Sequence, residues 1–83
     1  MSITLLYFGV LKDVLGRSEE TLAWDGGSST ALLAQLRTRG EDWAAALAPG
    51  KVFRLVVNQQ IVHGEVPVPD GAEVGILPPV TGG

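Results

Sequence analysis

The sequence has no cysteine and a single histidine, His63. Disulfides and thiolate metal sites are therefore excluded, and one histidine without a partner predicts neither a metal centre nor an acid–base pair. The adjoining Gly64 indicates an exposed turn for His63. Without covalent or metal cross-links, the 83 residues are expected to form one domain held by its hydrophobic core.

Basic residues and long apolar runs are also scarce. Six Lys and Arg against nine Asp and Glu give a formal net charge of −3. Nucleic-acid binding usually needs clustered positive charge, so no nucleic-acid partner is expected. The apolar start, Ile3 to Val10, is too short to span a bilayer and lacks the preceding charges and cleavage site of a secretory signal. We expect a soluble cytoplasmic protein that does not bind membranes.

Catalytic motifs are missing as well. The sequence has no nucleophile elbow, Walker loop or dinucleotide-binding glycine loop. Adjacent acids at Glu19-Glu20 and Glu41-Asp42 point to opposite faces in a strand and diverge in a helix, so we expect them to be solvated. Residues 25–28, Asp-Gly-Gly-Ser, are better explained as a loop and helix N-cap than as an anion site. The chain is thus not expected to be an enzyme on its own, nor to bind a metal or cofactor itself.

What the sequence does contain is a series of short apolar patterns separated by turn residues. Alternation predicts strands at 3–9, 19–24, 52–58, around 61–62 and 72–77; helical spacing predicts helices at 10–15, from Ser28 or Ser29 to Gly40, and at 41–48. This order predicts an α+β fold, preferably a β-grasp (ubiquitin-like) mixed sheet of about five strands wrapped on one main helix. A ferredoxin-like split βαβ is the alternative.

Polar residues within the predicted strands show which side faces solvent. Arg54, Thr4 and Glu73 each mark the outer side of their strand. Their parity places Phe53, Leu55 and Val57 against the helix. It predicts an exposed apolar patch on the opposite face, which signals a partner interface unless a parity is misassigned or a loop covers it. The patch comprises Leu6, Phe8, Val56 and Leu77.

The sequence ends in Leu77-Pro78-Pro79-Val80-Thr81-Gly82-Gly83. The prolines end the last strand, because proline cannot donate to a ladder. A Gly-Gly terminus has no side chains, so a partner's narrow channel can admit it. Its carboxylate is unreactive toward nucleophiles until activated, and adenylation by ATP would supply a leaving group. A frayed terminus without function is the alternative.

Several of these segments resemble the small subunit of molybdopterin synthase, a ubiquitin-like sulfur carrier, over essentially the whole chain. They are residues 5–16, 43–47, 57–59, 70–74 and, most specifically, 78–83. The resemblance implies that Gly83 is adenylated by an E1-like enzyme and converted to a thiocarboxylate. Gly82, Thr81 and Val80 would form the tail that enters the large subunit and donates sulfur to a cyclic pyranopterin. One departure is Leu77, where the family often has an aromatic residue.

The resemblance also implies the wider organisation. Residues 1–83 would form a single sulfur-carrier domain with a flexible tail at 78–83. The partners would be the large subunit, in a heterotetrameric sulfurtransferase, and the activating enzyme, which uses the ATP. Alternatives are a sulfur carrier for thiamine, cysteine or tRNA thiolation, a ubiquitin-like modifier joined to lysines, and a non-catalytic β-grasp interaction module.

Overall fold

The computed structural model describes residues 1–48 and 54–78. All the predicted elements are present, with bounds that differ by a few residues. In chain order they are β1 Ser2–Tyr7, α1 Val10–Leu15, β2 Glu19–Ala23, α2 Ser29–Arg37, α3 Glu41–Ala46, β3 Arg54–Val57, β4 Gln60–Val62 and β5 Glu73–Leu77. The predicted strand residues 52 and 53, and with them the assignment of Phe53 to the helix side, lie outside the described residues.

The strands form one sheet in the order β2-β1-β5-β3-β4. β1 and β5 are parallel neighbours at its centre, and the other pairs are antiparallel. The β1-β2 hairpin and the β3-β4 hairpin lie on either side of β5, which is the predicted β-grasp arrangement. The split βαβ alternative is wrong, because it needs a second helical crossover and residues 63–72, between β4 and β5, contain no helix.

The hydrophobic core lies between the inner face of the sheet and the helices. Alternate residues of the central strands are buried, and α2 covers them with Leu32 and Leu36. Leu33, also on α2, is only half-buried and packs at the margin of the core. The buried apolar side chains of the strands and helices are Ile3, Leu5, Tyr7, Leu11, Leu15, Leu32, Leu36, Leu55, Val57, Val74 and Ile76.

Local hydrogen bonds define where α2 begins. Ser28, rather than Ser29, is the N-cap, and its hydroxyl accepts a hydrogen bond from the Ala31 backbone N–H. Ser29 is buried, and its Oγ accepts from the Val66 N–H at 3.1 Å. The helix start is therefore tied to the segment that precedes β5. Among the described helices, none is long and apolar enough to cross a membrane.

Glu20 departs from the sequence-based expectation. It does not lie in solvent: its carboxylate accepts hydrogen bonds from the Tyr7 hydroxyl at 2.6 Å and from both Arg39 Nη atoms at 2.6 and 2.8 Å. Arg17 adds a third ion-pair contact at 3.2 Å. The expectation of solvation was wrong for this residue because two of its partners, Tyr7 and Arg39, come from distant parts of the chain. The other three acids, Glu19, Glu41 and Asp42, are exposed as expected.

Trp43 connects this ion-pair cluster to α3. The Arg39 guanidinium lies 4.6 Å from its ring centroid and that of Arg17 lies at 5.8 Å. The Tyr7 ring meets it edge-on at 5.6 Å. Together with Glu20, these side chains connect β1, β2, α3 and the segment after α2 across one edge of the domain.

The ion pairs of Glu20 contribute to the acid sensitivity of the fold. Hydrogen bonding from Arg39 is the main cause that lowers the pKa of Glu20 below its ordinary 4.5. Burial, and then the hydrogen bond to Glu20, raise the pKa of Tyr7. Because the carboxyl pKa is lower in the folded chain than in the unfolded one, its stabilising contribution is complete above pH 4.5 and is lost as pH falls through the folded value.

Replacing Glu20 with Gln should lower the free energy of unfolding at pH 7 by about 1–3 kcal/mol, because the contacts from Arg39 and Arg17 lose their anion. The variant should also lose less stability than the wild type when pH falls below 4.5. Urea unfolding across a pH series measures both effects. Glu19→Gln, at the exposed neighbouring position, is the control and should follow the wild type. Parallel pH curves for Glu20→Gln and wild type would contradict this role.

Candidate functional site

The outer face, meaning the face of the sheet opposite α2, carries a row of apolar residues. The register aligns Leu6 with Gly75, Gly75 with Val56, and Val56 with Ile61. Aligned residues on neighbouring strands point to the same side. The row therefore runs across four strands, and Glu19 of β2, aligned with Leu6, ends it.

The four residues predicted for the apolar patch all lie on this face. Leu6, Val56 and Leu77 are half-buried, and Phe8 is 44% exposed. Their opposite-parity neighbours are in the core, so the parity assignment is confirmed for the strand residues that the structure describes. Partner binding by these residues stays a prediction.

Ile61 is a further member of the patch that the sequence analysis did not assign. Its side chain is 57% exposed, more than that of Phe8, and it lies opposite Val56. A signal for it exists in the sequence. Asn58-Gln59 is a two-residue turn between β3 and β4, and a turn of this length fixes the register of the strands on either side. In the structure both residues have the positive φ values of such a turn, 50° and 69°. We define the outer patch as Leu6, Phe8, Val56, Ile61 and Leu77.

Gly75 gives the outer patch its shape. A Cβ atom at this position would lie 3.2 Å from Phe8 Cε2, and 3.7 Å from both Val56 Cβ and Leu77 Cδ1. The Phe8 ring therefore lies close over the glycine. The missing side chain lets Phe8 join the other apolar residues in a continuous surface while part of its ring stays exposed.

Charged residues lie at the two ends of the outer patch along β5. Arg54 is exposed and aligned with Leu77 at one end. Glu73 is half-buried at the other end and is aligned with Thr4. The backbone N–H of Glu73 donates to Asn58 Oδ1 at 3.0 Å, which fixes the chain at this point. The apolar surface is thus bordered by a cation on one side and an anion on the other.

The chain leaves the sheet beside Phe8. The Phe8 N–H donates to the Ile76 carbonyl at 3.3 Å, extending the contact between β1 and β5. Gly9 then adopts φ +58°, and a Cβ there would lie 2.8 Å from Pro78 Cγ. Only glycine permits both this backbone conformation and so close a proline ring. The exit of the last strand is therefore fixed against the turn before α1.

The predicted tail residues Val80, Thr81, Gly82 and Gly83 lie outside the described residues. The sulfur-carrying role of Gly83 and the flexibility of the tail stay predictions. In residues 1–48 and 54–78, no group of three or more His, Cys, Asp or Glu is placed to hold a metal ion. His63 is exposed, as expected.

The glycine loop before α2 packs as part of the fold. The Gly27 carbonyl accepts a hydrogen bond from the Val68 N–H at 2.8 Å. A Cβ at Gly27 would approach Trp24 Cζ2 to 3.3 Å, and the Trp24 Nε1–H donates to the Val68 carbonyl at 2.9 Å. Together with the Ser28 cap, these contacts account for the loop.

Comparison with known proteins identifies relatives along nearly the whole chain. The model of the ThiS family matches residues 5–83. The molybdopterin synthase sulfur carrier subunit of Escherichia coli (strain K12) is 36% identical over 81 residues, which cover 98% of this chain and 99% of the relative. The resemblance inferred from the sequence is confirmed.

Solved structures share the fold. The solution structure of the Haloferax volcanii HVO 2177 protein has a TM-score of 0.81 at 24% identity, covering 100% of this chain and 87% of that one. Subunits 1 and 2 of the molybdopterin-converting factor from Helicobacter pylori 26695 were solved as a complex. One chain of that structure matches with a TM-score of 0.70 at 24% identity, covering 100% of this chain and 100% of that one. The chain belongs to the ThiS family and is related to the molybdopterin synthase sulfur carrier subunits.

Proposed function

We propose that this protein is the sulfur carrier subunit of a molybdopterin synthase and that Gly83 carries the sulfur as a thiocarboxylate. The observation that carries the proposal is the outer patch, an exposed apolar surface next to the point where the chain leaves the sheet. A partner that binds this surface would lie next to Pro78, five residues before Gly83. The relationship to the Escherichia coli subunit supports the choice of pathway.

The proposed chemistry takes place on the terminal carboxylate. A Gly83 oxygen attacks the α-phosphorus of ATP in an E1-like enzyme, and pyrophosphate leaves. A sulfur donor at the oxidation level of sulfide then attacks the acyl carbon and releases AMP, leaving a thiocarboxylate. In the large subunit the thiocarboxylate sulfur forms a bond to a carbon of the cyclic pyranopterin as a C–O bond of that carbon breaks and the oxygen leaves. Water then cleaves the resulting thioester, which restores the Gly83 carboxylate and leaves the sulfur on the pyranopterin as a thiolate. The carrier supplies the slender Gly82-Gly83 end, and its partners supply the catalytic groups.

The outer patch is the proposed docking surface for the large subunit. Fully burying one large apolar side chain contributes roughly 1.5–3 kcal/mol, so Phe8 and Ile61, the most exposed members, have the most to gain. The Helicobacter pylori relative is solved as a complex of two subunits, which supports a partner of this kind. We propose a heterotetramer, as the family resemblance implies.

Carriers for other pathways, and protein modifiers, would use the same terminal glycine. Thiamine, cysteine or tRNA thiolation would change the acceptor but not the activation step. A modifier would instead join Gly83 to a lysine amine. The 36% identity to the molybdopterin synthase sulfur carrier subunit of Escherichia coli favours molybdopterin as the product.

Incubation with ATP, the cognate activating enzyme and a sulfur donor should raise the intact mass by the difference between sulfur and oxygen. Fragment mass spectrometry should locate the change in the C-terminal peptide. A reaction without ATP is the control. A mass gain on an internal residue, or no gain with an enzyme shown to be active, would contradict the carrier function.

Deletion of Gly83 should abolish sulfur transfer and leave the thermal unfolding midpoint nearly unchanged. The reason is that the residue lies beyond two prolines and is expected to make few buried contacts. A variant with two residues added after Gly83 should behave in the same way. Full transfer activity after either change would show that the terminal carboxylate is not the carrier group.

Substitution of the outer patch should weaken binding to the large subunit without unfolding the carrier. Phe8→Lys and Leu77→Asp each remove apolar contact and place a charge in the interface, so a loss of at least about tenfold in affinity is expected. Titration calorimetry measures the affinity and denaturant midpoints measure stability. Leu55→Asp is the matched core control and should unfold the domain, because Leu55 is buried. Equal destabilisation by Phe8→Lys and Leu55→Asp would contradict the division between the faces.

A further inference from the structure

Arg54 is the one basic residue placed within the described strands, and it lies on the docking surface. It begins β3, is aligned with Leu77 of β5, and is two positions before Val56 on the same side of its strand. Its side chain is exposed. Arg54 therefore lies next to two members of the outer patch, at the C-terminal end of β5.

Within residues 1–48 and 54–78, the Arg54 guanidinium has no carboxylate partner. The ion pairs of these residues all involve Glu20, which binds Arg17 and Arg39. Residues 49–53 and 79–83 contain no Asp or Glu, and their one carboxylate is the terminal group of Gly83. Arg54 thus differs from Arg39, whose charge is neutralised within the fold.

Docking of the outer patch would remove water from around Arg54. A charge that loses its hydration without gaining a partner is strongly unfavourable, whereas a carboxylate can take both arms of a guanidinium in two parallel hydrogen bonds. The aliphatic part of the arginine can meanwhile lie on the apolar neighbours. We propose that the large subunit presents a carboxylate side chain to Arg54, and that this ion pair sets partner specificity. The inference rests on the proposed function.

The position of Glu73 adds a direction to this recognition. It lies four residues before Leu77 on β5, a separation of about 13 Å along the strand. A partner with its acid opposite Arg54 would meet a like charge, Glu73, if it docked the other way round. The ion pair at Arg54 thereby favours the orientation in which the chain exit lies beside the partner's acid.

The test measures binding of the full chain to its cognate large subunit by titration calorimetry at low and moderate salt. Arg54→Gln should weaken binding about 10- to 100-fold at low salt, and its affinity should depend less on salt than that of the wild type. Gln35→Glu is the matched control, since it lowers the net charge by the same amount at an exposed position of α2. It should bind within about twofold of the wild type.

Two further variants separate an ion pair from other contacts. Arg54→Lys should recover part of the affinity, since it keeps the charge but not the paired hydrogen bonds. Arg54→Leu should bind as weakly as Arg54→Gln. If Arg54→Leu binds as tightly as the wild type or more tightly, an apolar group lies opposite and the inference is overturned.

Wild-type affinity for Arg54→Gln would also overturn the inference, as would equal weakening by Gln35→Glu. Failure of the wild type to bind the large subunit would instead contradict the proposed function itself. Denaturant midpoints confirm that each variant is folded.

Discussion

The parallel pairing of β1 with β5 is the constraint on which the rest of the molecule depends. Parallel neighbours cannot be joined by a tight turn, so the intervening chain must cross over the sheet, and it carries α2 with it. The crossover covers one face and leaves the other open. It also brings the C-terminal ends of the first and last strands side by side, so that Phe8, just after β1, lies near Leu77 and Pro78 at the end of β5.

Alternation along the central strands then gives each face its own task. One parity of β1, β3 and β5 is buried under α2 and stabilises the fold, while the other builds the outer patch. Two glycines adapt this regular pattern to a docking role. Gly75 lets the Phe8 ring lie close to the sheet, and Gly9 lets Pro78 pack against the preceding turn. The exposed surface and the chain exit are therefore adjacent for structural reasons that do not depend on any partner.

The features that the sequence predicted are those that repeat locally. Thr4, Arg54 and Glu73 reveal the parity of their strands, so the inner and outer faces could be assigned without knowing which strands pair. β4 has two adjacent apolar residues and no such marker, and the place of Ile61 follows only from the hairpin register. The position of Glu20 could not be predicted, because Arg39 lies 19 residues away along the chain. The order of the strands in the sheet likewise depends on contacts between residues far apart in the chain, such as the pairing of β1 with β5.

The division between the two faces is tested most directly by cross-saturation NMR on the complex. Saturation of the large subunit should attenuate methyl signals of a perdeuterated, methyl-protonated carrier wherever the two proteins touch. Strong attenuation is expected for Leu6, Val56, Ile61 and Leu77, and none for Leu33 on α2. Attenuation centred on α2, with the outer-face methyl signals unchanged, would contradict the division between the two faces.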